Sequence, residues 1–164
     1  HLLLEQRDLA RLLVRAPFRA ALLFALRALL LALAVELADY PRLPSPQISA
    51  EARSATCGST LTLDLSLDPA DRVDALGLAL SACAIGQASA AVFAREARGR
   101  GAEEMLAALG EIETWLGEEG EGAQPRWPGI AVLAPARAYP ARHGAILMPW
   151  KAAADALCKA PHAR

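Results

Sequence analysis

The chain has 164 residues, 54% of them hydrophobic but only 5% aromatic, and this length suffices for one domain with a sizeable core. The 17 basic and 18 acidic side chains produce no overall basic field, which argues against nucleic acid as a partner. Three cysteines without framework spacing argue against a disulfide-stapled secreted domain, so we expect a reducing, cytoplasmic compartment in which thiols can bind metal or carry sulfur.

The N-terminal region, residues 1–38, is rich in Leu, Ala and Arg and predicts helix. Its apolar run Ala28–Val35 is bounded by Arg27 and Glu36, so it is far shorter than the ~20 residues needed to span a bilayer. We therefore expect a docking or self-associating helix rather than a membrane span. Residues 40–46 contain three prolines, which predict an extended linker.

Two runs of alternating hydrophobicity follow the linker. Every second residue of Thr60–Leu67 is leucine, and Val73–Ala82 repeats the alternation after the turn residues 68–71. This pattern predicts a β-hairpin with one buried and one wetter face. Ile48–Ala55 could add a further strand beside it.

Two cysteines bracket the predicted hairpin. Cys57 precedes the first strand and Cys83 follows the second. Because the start of one antiparallel strand lies beside the end of the next, we expect both thiols at the same edge. Residues 84–98 predict a helix whose small side chains would let it pack against the sheet. Cys83 at its N-terminus would be favoured as thiolate, although a free cysteine is often only a small buried hydrophobic residue.

Two further helices are predicted. Residues 102–117 have apolar side chains at helical spacing and an acidic solvated face, and an acidic, glycine-rich loop follows. The last helix is predicted over Ala145–Cys158, with Pro149 in its first turn. His143, just before it, is the one internal histidine. Neither a glycine-rich phosphate loop, nor a Gly-x-Ser-x-Gly elbow, nor a His-Glu-x-x-His motif is present.

Three motifs together are typical of one protein family. They are Thr56–Ser59 before an alternating strand, Cys83–Ala90 opening a helix, and Pro140–Trp150 entering the last helix. In this order they resemble NifU-like iron–sulfur cluster assembly scaffolds of the IscU/SufU type. The similarity covers residues 28–158, leaving 1–27 as a helical N-terminal extension and 159–164 as a C-terminal tail. It implies an α+β fold, with a small antiparallel β-sheet and helices packed on one face.

The resemblance also implies a function and a set of ligands. The family assembles a nascent Fe–S cluster, or binds zinc, at three cysteines, with a cysteine desulfurase as sulfur donor and Fe–S acceptor proteins as recipients. Cys57 and Cys83 match the first two family cysteines. Three positions depart from the family pattern: Ser59 replaces a usual aspartate, Ala145 replaces the third cysteine, and Gly144 stands where a histidine ligand can occur.

The missing thiolate leaves the ligand set open. Cys158 lies 13 residues beyond Ala145 in the same predicted helix, or ~20 Å away, so we do not expect it to complete the site. His143 is the better candidate, although a lone histidine is more often a surface or capping residue. A cluster normally takes four protein ligands. Two protomers could share one, a partner or small thiol could complete the shell, or the scaffold chemistry could be lost.

The sequence thus predicts a scaffold without enzymatic turnover. It would bind iron, a nascent Fe–S cluster or zinc through Cys57 and Cys83, with His143 as a candidate third metal ligand. A second hypothesis is a sulfur acceptor, in which Cys83 takes persulfide sulfur from a desulfurase and no metal is needed. A third is a structural or interaction module. The Leu- and Ala-rich N-terminal helix makes a homo-oligomer plausible.

Overall fold

The computed structural model describes residues 28–117 and 123–159 and has the predicted α+β architecture. Residues 28–36 are helical (α1) and lead into a short 3₁₀ turn. The other elements are β1 (Ile48–Arg53), β2 (Thr60–Leu67), β3 (Val73–Ser81), α2 (Ala84–Glu96), α3 (Ala102–Gly117), a 3₁₀ segment (Ile130–Ala138) and α4 (Pro140–Lys159). The predicted N-terminal extension, most of the acidic loop and nearly all of the C-terminal tail lie outside the described residues.

The three strands form one antiparallel sheet in the order β1-β2-β3. The expected additional strand is present as β1, and β2 and β3 form the predicted hairpin. The leucines of β2 that alternate with polar residues, Leu61, Leu63 and Leu65, are buried. They point to the side of the sheet that the helices cover, because period-two alternation puts every second side chain on one face. Within the described ranges, no helix is long and apolar enough to cross a membrane.

The helix that packs on the sheet is α4, not the expected α2. α4 contacts β1 and β2, whereas α2 packs chiefly against α4 and the 3₁₀ segment. The small residues of α2 serve this helix–helix contact. A Cβ built on Gly86 would lie 3.5 Å from Ala145 Cβ of α4 and 3.7 Å from Met148 Cε. Small residues therefore do bring α2 close to a neighbour, as predicted, but the neighbour is a helix.

α4 begins at Pro140, five residues earlier than predicted, so the expectation that Pro149 occupies its first turn is wrong. Pro140 suits a helix start because its φ is already helical and the first turn needs no N–H donor. Pro149 then lies in the interior, where it cannot donate to the preceding turn. In that turn the Ser89 hydroxyl donates to the Ile146 carbonyl at 2.6 Å, so α2 supplies a buried hydrogen bond at the proline site.

The face of the sheet away from the helices is covered by the proline-containing linker, residues 40–46, which we call the strap. The Leu78 N–H donates to the Tyr40 carbonyl at 2.9 Å and ties the strap to β3. Asp64 of β2 is fully buried beneath it. Its carboxylate accepts from the Arg42 guanidinium, from the Leu43 N–H at 3.1 Å and from the Ser49 hydroxyl at 2.6 Å. The face predicted to be wetter is therefore closed at this point by a charged hydrogen-bond network.

Candidate functional site

Cys57 lies in the loop that joins β1 to β2. The loop is closed by hydrogen bonds from the Ser54 N–H to the Ser59 carbonyl, 2.8 Å, and from the Gly58 N–H to the Ser54 carbonyl, 2.9 Å. Gly58 has φ of +69°, a left-handed conformation that glycine adopts without steric cost. The sequence Cys-Gly-Ser therefore makes a tight turn, and this turn leaves the Cys57 side chain only partly buried.

Cys83 is the N-cap residue of α2 and is also partly buried. It follows β3 by two residues, and its carbonyl accepts the Gln87 N–H at 2.9 Å in the first helical turn. Thr60, at the start of β2, pairs with Ser81, at the end of β3. This register confirms that the two cysteines lie at the same end of the sheet.

The start of α4 reaches the same end of the sheet. The Thr56 hydroxyl donates to the Ala141 carbonyl at 2.8 Å, which ties the Cys57 loop to the first turn of α4. Ala145 lies against α2 at Gly86, three residues beyond Cys83. Residues 54–59, 82–86 and 141–145 thus converge, and we call this convergence the thiol corner.

The two α4 positions at which the family carries further ligands, Gly144 and Ala145, offer no ligand atom in the thiol corner. Ala145 is fully buried, and a Cβ on Gly144 would lie only 2.7 Å from Ser54 Oγ, so the serine already fills the space of a side chain there. His143 Nε2 lies 2.9 Å from the Arg137 carbonyl, which can only accept, so in a neutral ring Nδ1 is the nitrogen that carries the lone pair. Within 28–117 and 123–159, no three His, Cys, Asp or Glu side chains are grouped to hold a metal ion. The metal-ligand role of His143 stays a prediction.

Two serine hydroxyls surround the Cys57 sulfur. Ser54 Oγ and Ser59 Oγ each lie 3.1 Å from Cys57 Sγ. When the thiol loses its proton, both hydroxyls can donate to the sulfur, which favours the charged form. The pKa of the Cys57 thiol is lowered to about 7, chiefly by Ser54 and then by Ser59, with a smaller contribution from the Arg142 guanidinium and with burial acting in the opposite direction.

The sequence gives no sign of the part that Ser54 plays, and it shows Ser59 only as the loss of an aspartate. In the structure both serines are almost fully buried, so their hydroxyls are held at the sulfur rather than in water. The local pattern Ser-x-x-Cys-Gly-Ser carries the relevant information, since a glycine turn after the cysteine folds the flanking serines back onto it. The sequence alone predicts thiolate stabilisation at Cys83, which stays a prediction.

We predict that alkylation of Cys57 follows a pH profile with a midpoint near 7. A free cysteine titrates at ~8.5, and the thiolate is the reacting form, so reaction should begin at lower pH. The measurement is the iodoacetamide rate against pH in a chain with Cys83→Ser and Cys158→Ser, which leaves one thiol. Ser59→Ala should move the midpoint upward, whereas Ser66→Ala at the other end of β2 should not. A wild-type midpoint above ~8 contradicts the role of the serines.

Three solved structures are similar to this chain. A nitrogen-fixing NifU-like protein (N-terminal part) from Brucella abortus is 32% identical, with a TM-score of 0.70 over 79% of this chain and 90% of that one. A putative iron–sulfur cluster assembly scaffold protein for the SUF system from Fervidobacterium islandicum AW-1 is 24% identical (TM-score 0.63, 79% and 93% covered). A hypothetical protein is 23% identical (TM-score 0.65, 80% and 98% covered). The last two show a shared fold alone. No family model and no curated protein sequence matches the chain.

Proposed function

Because the chain belongs to the NifU-like family, we propose that it is an iron–sulfur cluster assembly scaffold that holds iron or a nascent cluster through Cys57 and Cys83. The observation that carries this proposal is the convergence of two half-buried thiols on one corner of the fold. The iron and the cluster are cargo that passes through the site, so the protein acts by binding and release and we assign it no enzymatic turnover.

The two thiolates suit a soft metal ion that takes few of its ligands from this chain. Thiolates are the preferred protein ligands of iron–sulfur clusters and also bind zinc, and the serine hydroxyls favour the thiolate of Cys57 at neutral pH. A tetrahedral ion or a cluster takes four ligands, whereas this corner provides two sulfurs. His143 through Nδ1 is the candidate for a third ligand, and residues 28–117 and 123–159 offer no group of three ligands around it.

The proposal names two kinds of protein partner. A cysteine desulfurase would donate the sulfur, and acceptor proteins would receive the assembled cluster, in the cytoplasm. Both must reach the sulfurs directly, because a sulfur atom or a cluster passes between ligands only in contact. The partial exposure of Cys57 and Cys83 and the exposed side chain of Arg142 near Cys57 are compatible with such an approach.

A second candidate function is a sulfur acceptor that needs no metal. The two hydroxyls at Cys57 Sγ favour this thiol, in place of Cys83, as the nucleophile. The Cys57 thiolate would attack the outer sulfur of a desulfurase persulfide, form a Cys57 persulfide and release the desulfurase thiolate. No net oxidation or reduction occurs, because one sulfur–sulfur bond forms as another breaks.

Anaerobic reconstitution with iron and sulfide tests the two functions against each other. We expect visible sulfur-to-iron charge-transfer absorbance and bound iron in the wild-type chain, and loss of both in Cys57→Ser and in Cys83→Ser. Cys158→Ser is the matched control, since Cys158 is exposed on α4 away from the thiol corner, and it should load like the wild type. His143→Ala shows whether the imidazole contributes.

Two results decide the outcome. Equal loading of the wild type and both cysteine variants contradicts the scaffold proposal, because iron would then bind elsewhere. If no iron binds, incubation with a desulfurase and cysteine, followed by intact-mass measurement, tests the second candidate. A gain of one sulfur on the wild-type chain that is lost in Cys57→Ser would support the sulfur acceptor.

A further inference from the structure

A cavity of about 260 Å³ lies near the start of β3, away from the thiol corner. One wall is the face of α3 that spans positions 104–111, and the other contains Arg100, Arg126 and Trp127. The Arg100 carbonyl accepts the N–H of Val73, the first residue of β3, at 3.0 Å, whereas the thiol corner adjoins the last. Because a strand of nine residues is roughly 30 Å long, the cavity and the thiol corner are separate sites.

Arg100 is held as a fixed fork of hydrogen-bond donors. Its guanidinium carbon lies 4.5 Å from the centroid of the Trp127 ring, and its Nε donates to the Glu96 carbonyl at 2.6 Å. Trp127 is itself immobilised, since it stacks on Phe93 with 5.6 Å between ring centroids and is only 3% exposed. An arginine oriented in this way loses little further conformational entropy when it binds an anion.

The terminal nitrogens of Arg100 are unused donors. Nη1 reaches Glu104 Oε1 only at 3.6 Å, which is longer than a hydrogen bond. In residues 28–117 and 123–159, neither Nη1 nor Nη2 of Arg100 donates a hydrogen bond. A guanidinium has five N–H groups and accepts nothing, so four N–H groups at this wall of the cavity are available to an acceptor.

The carboxylates at the cavity are already engaged. Glu104 accepts from Arg72 Nη1 at 3.0 Å. Glu111 accepts from the Arg126 N–H at 2.8 Å and from Arg126 Nε at 2.6 Å. The guanidinium groups of Arg72, Arg100 and Arg126 thus meet two carboxylates, which leaves one positive charge. The free polar groups of the cavity therefore suit a ligand with one negative charge.

The rest of the lining is apolar and small. Ala107 and Ala108 of α3 and the Trp127 ring line the cavity, and such groups favour an apolar body beside the charged one. The volume is below the ~300–1,000 Å³ of pockets for drug-sized ligands, so it fits a group about the size of one amino-acid residue. A carboxylate matches Arg100 because two terminal N–H groups can bind its two oxygens side by side.

We propose that this cavity binds a small organic monocarboxylate, whose carboxylate accepts from both Nη groups of Arg100 and whose apolar body packs on Ala107 and Ala108. Arg126 contributes a second guanidinium with further N–H donors. The same chemical group occurs in a free small acid and at the C-terminal residue of a peptide. The site is independent of the proposed scaffold function, and loss of either proposal leaves the other intact.

The experiment is a nuclear magnetic resonance titration of the full ¹⁵N-labelled chain with N-acetyl-leucine. We expect saturable shifts at the Trp127 indole N–H and at the amides of Ala107 and Ala108, with a Kd on the order of 1 mM, and no shift at Cys57 or Cys83. N-acetyl-leucinamide has the same shape without the charge and should bind at least ~tenfold more weakly. Equal binding of the amide or of inorganic phosphate, or no saturable shift, overturns the proposal.

A peptide distinguishes the two sources of the carboxylate. An N-acetylated pentapeptide that ends in the same leucine presents the carboxylate on a longer chain. If it binds at least ~tenfold more tightly than N-acetyl-leucine, the site recognises the end of a peptide chain. If the two bind equally, the additional residues make no contact and the site recognises the free acid.

Variants test the cavity itself. Arg100→Lys keeps the charge but removes the fork, and we expect at least ~tenfold weaker binding of N-acetyl-leucine. Arg98→Lys is the matched control, since Arg98 is 73% exposed and pairs with Asp74 outside the cavity, and it should bind normally.

Because Arg100 also contacts Trp127, a second variant leaves every charge in place. Ala107→Leu fills the cavity and should weaken binding by a similar factor, whereas Ala131→Leu, at an exposed alanine of the 3₁₀ segment, should not. Normal binding by both Arg100→Lys and Ala107→Leu overturns the site.

Discussion

Replacing Gly77 with alanine is expected to destabilise the protein by about 3 kcal/mol, because added atoms in a packed interior must displace their neighbours. Gly77 lies in β3 directly beneath the strap. A Cβ there would lie 2.7 Å from the Leu43 nitrogen and 3.0 Å from Arg42 Cα, both backbone atoms. Since no side-chain rotation can relieve this contact, the strap must lift from the sheet. Urea unfolding followed by circular dichroism measures the change.

The chain has a matched control for this substitution. Gly110 lies in α3, where an added Cβ meets nothing within 4 Å, so Gly110→Ala should stabilise the protein by roughly 0.5–1 kcal/mol through helix propensity. An equal, small effect of the two substitutions would mean that the strap does not rest on Gly77. Loss of the hydrogen bond from the Leu78 N–H to Tyr40 should accompany Gly77→Ala, and amide hydrogen exchange at Leu78 reports it.

Replacing Asp64 with alanine is expected to cost about 3 kcal/mol of unfolding free energy, since it removes the acceptor of a buried charged network. The carboxylate is fully buried. It accepts hydrogen bonds from Arg42 and Leu43 of the strap and from Ser49 of β1, and so joins the strap to the sheet. Without it, the Leu43 N–H and the Ser49 hydroxyl lose their acceptor. Asp64 and Gly77 are direct cross-strand partners, so the double variant should lose less stability than the sum of the two.

Asp74→Ala is the control for Asp64→Ala. Asp74 pairs with Arg98 at 3.8 Å, with the two side chains 63% and 73% exposed, and exposed pairs of this kind contribute less than ~1 kcal/mol. If both aspartate substitutions lowered the free energy of unfolding equally, the buried network would contribute no more to stability than an exposed ion pair.

The Asp64 network also predicts an acid dependence of stability. Burial alone would raise the pKa of Asp64, but hydrogen bonds from Arg42, from Ser49 and from the Leu43 N–H hold it below its ordinary value. A carboxyl whose pKa is lower in the folded state stabilises the fold above its unfolded pKa of ~3.9. This contribution is lost as the pH falls through the lower folded value. Unfolding curves of the wild type should therefore show a loss of stability below about pH 4 that is reduced in Asp64→Asn.

The strands and the end of the sheet at which the cysteines meet could be predicted from local pattern. Alternating leucines in β2 define the buried face, and turn residues at 68–71 determine where the hairpin reverses. Antiparallel pairing then brings Cys57 and Cys83 to one end. Each of these features depends on residues that are close in the chain, so it can be predicted from a single sequence.

The packing of the helices could not be predicted in the same way. The small residues of α2 predict a close approach, but Gly86 does not specify whether a strand or a helix takes the place beside it. Pro149 is interior because α4 starts at Pro140, and the turn before it accepts a hydrogen bond at Ile146 from Ser89, 57 residues earlier in the chain. Such contacts depend on the whole core.

The sequence by itself determined the class of fold, the family and the two thiols on which the proposed function rests, because these depend on residue periodicity and on short motifs. Only the tertiary structure decided what surrounds the thiols and the buried carboxylate. It brought Ser54 and Ser59 to the Cys57 sulfur, the methyl group of Ala145 to the third position, and the strap onto Asp64. The physical reason is that a pKa, a ligand count and a buried ion pair are set by atoms that are close in space, whatever their distance along the chain.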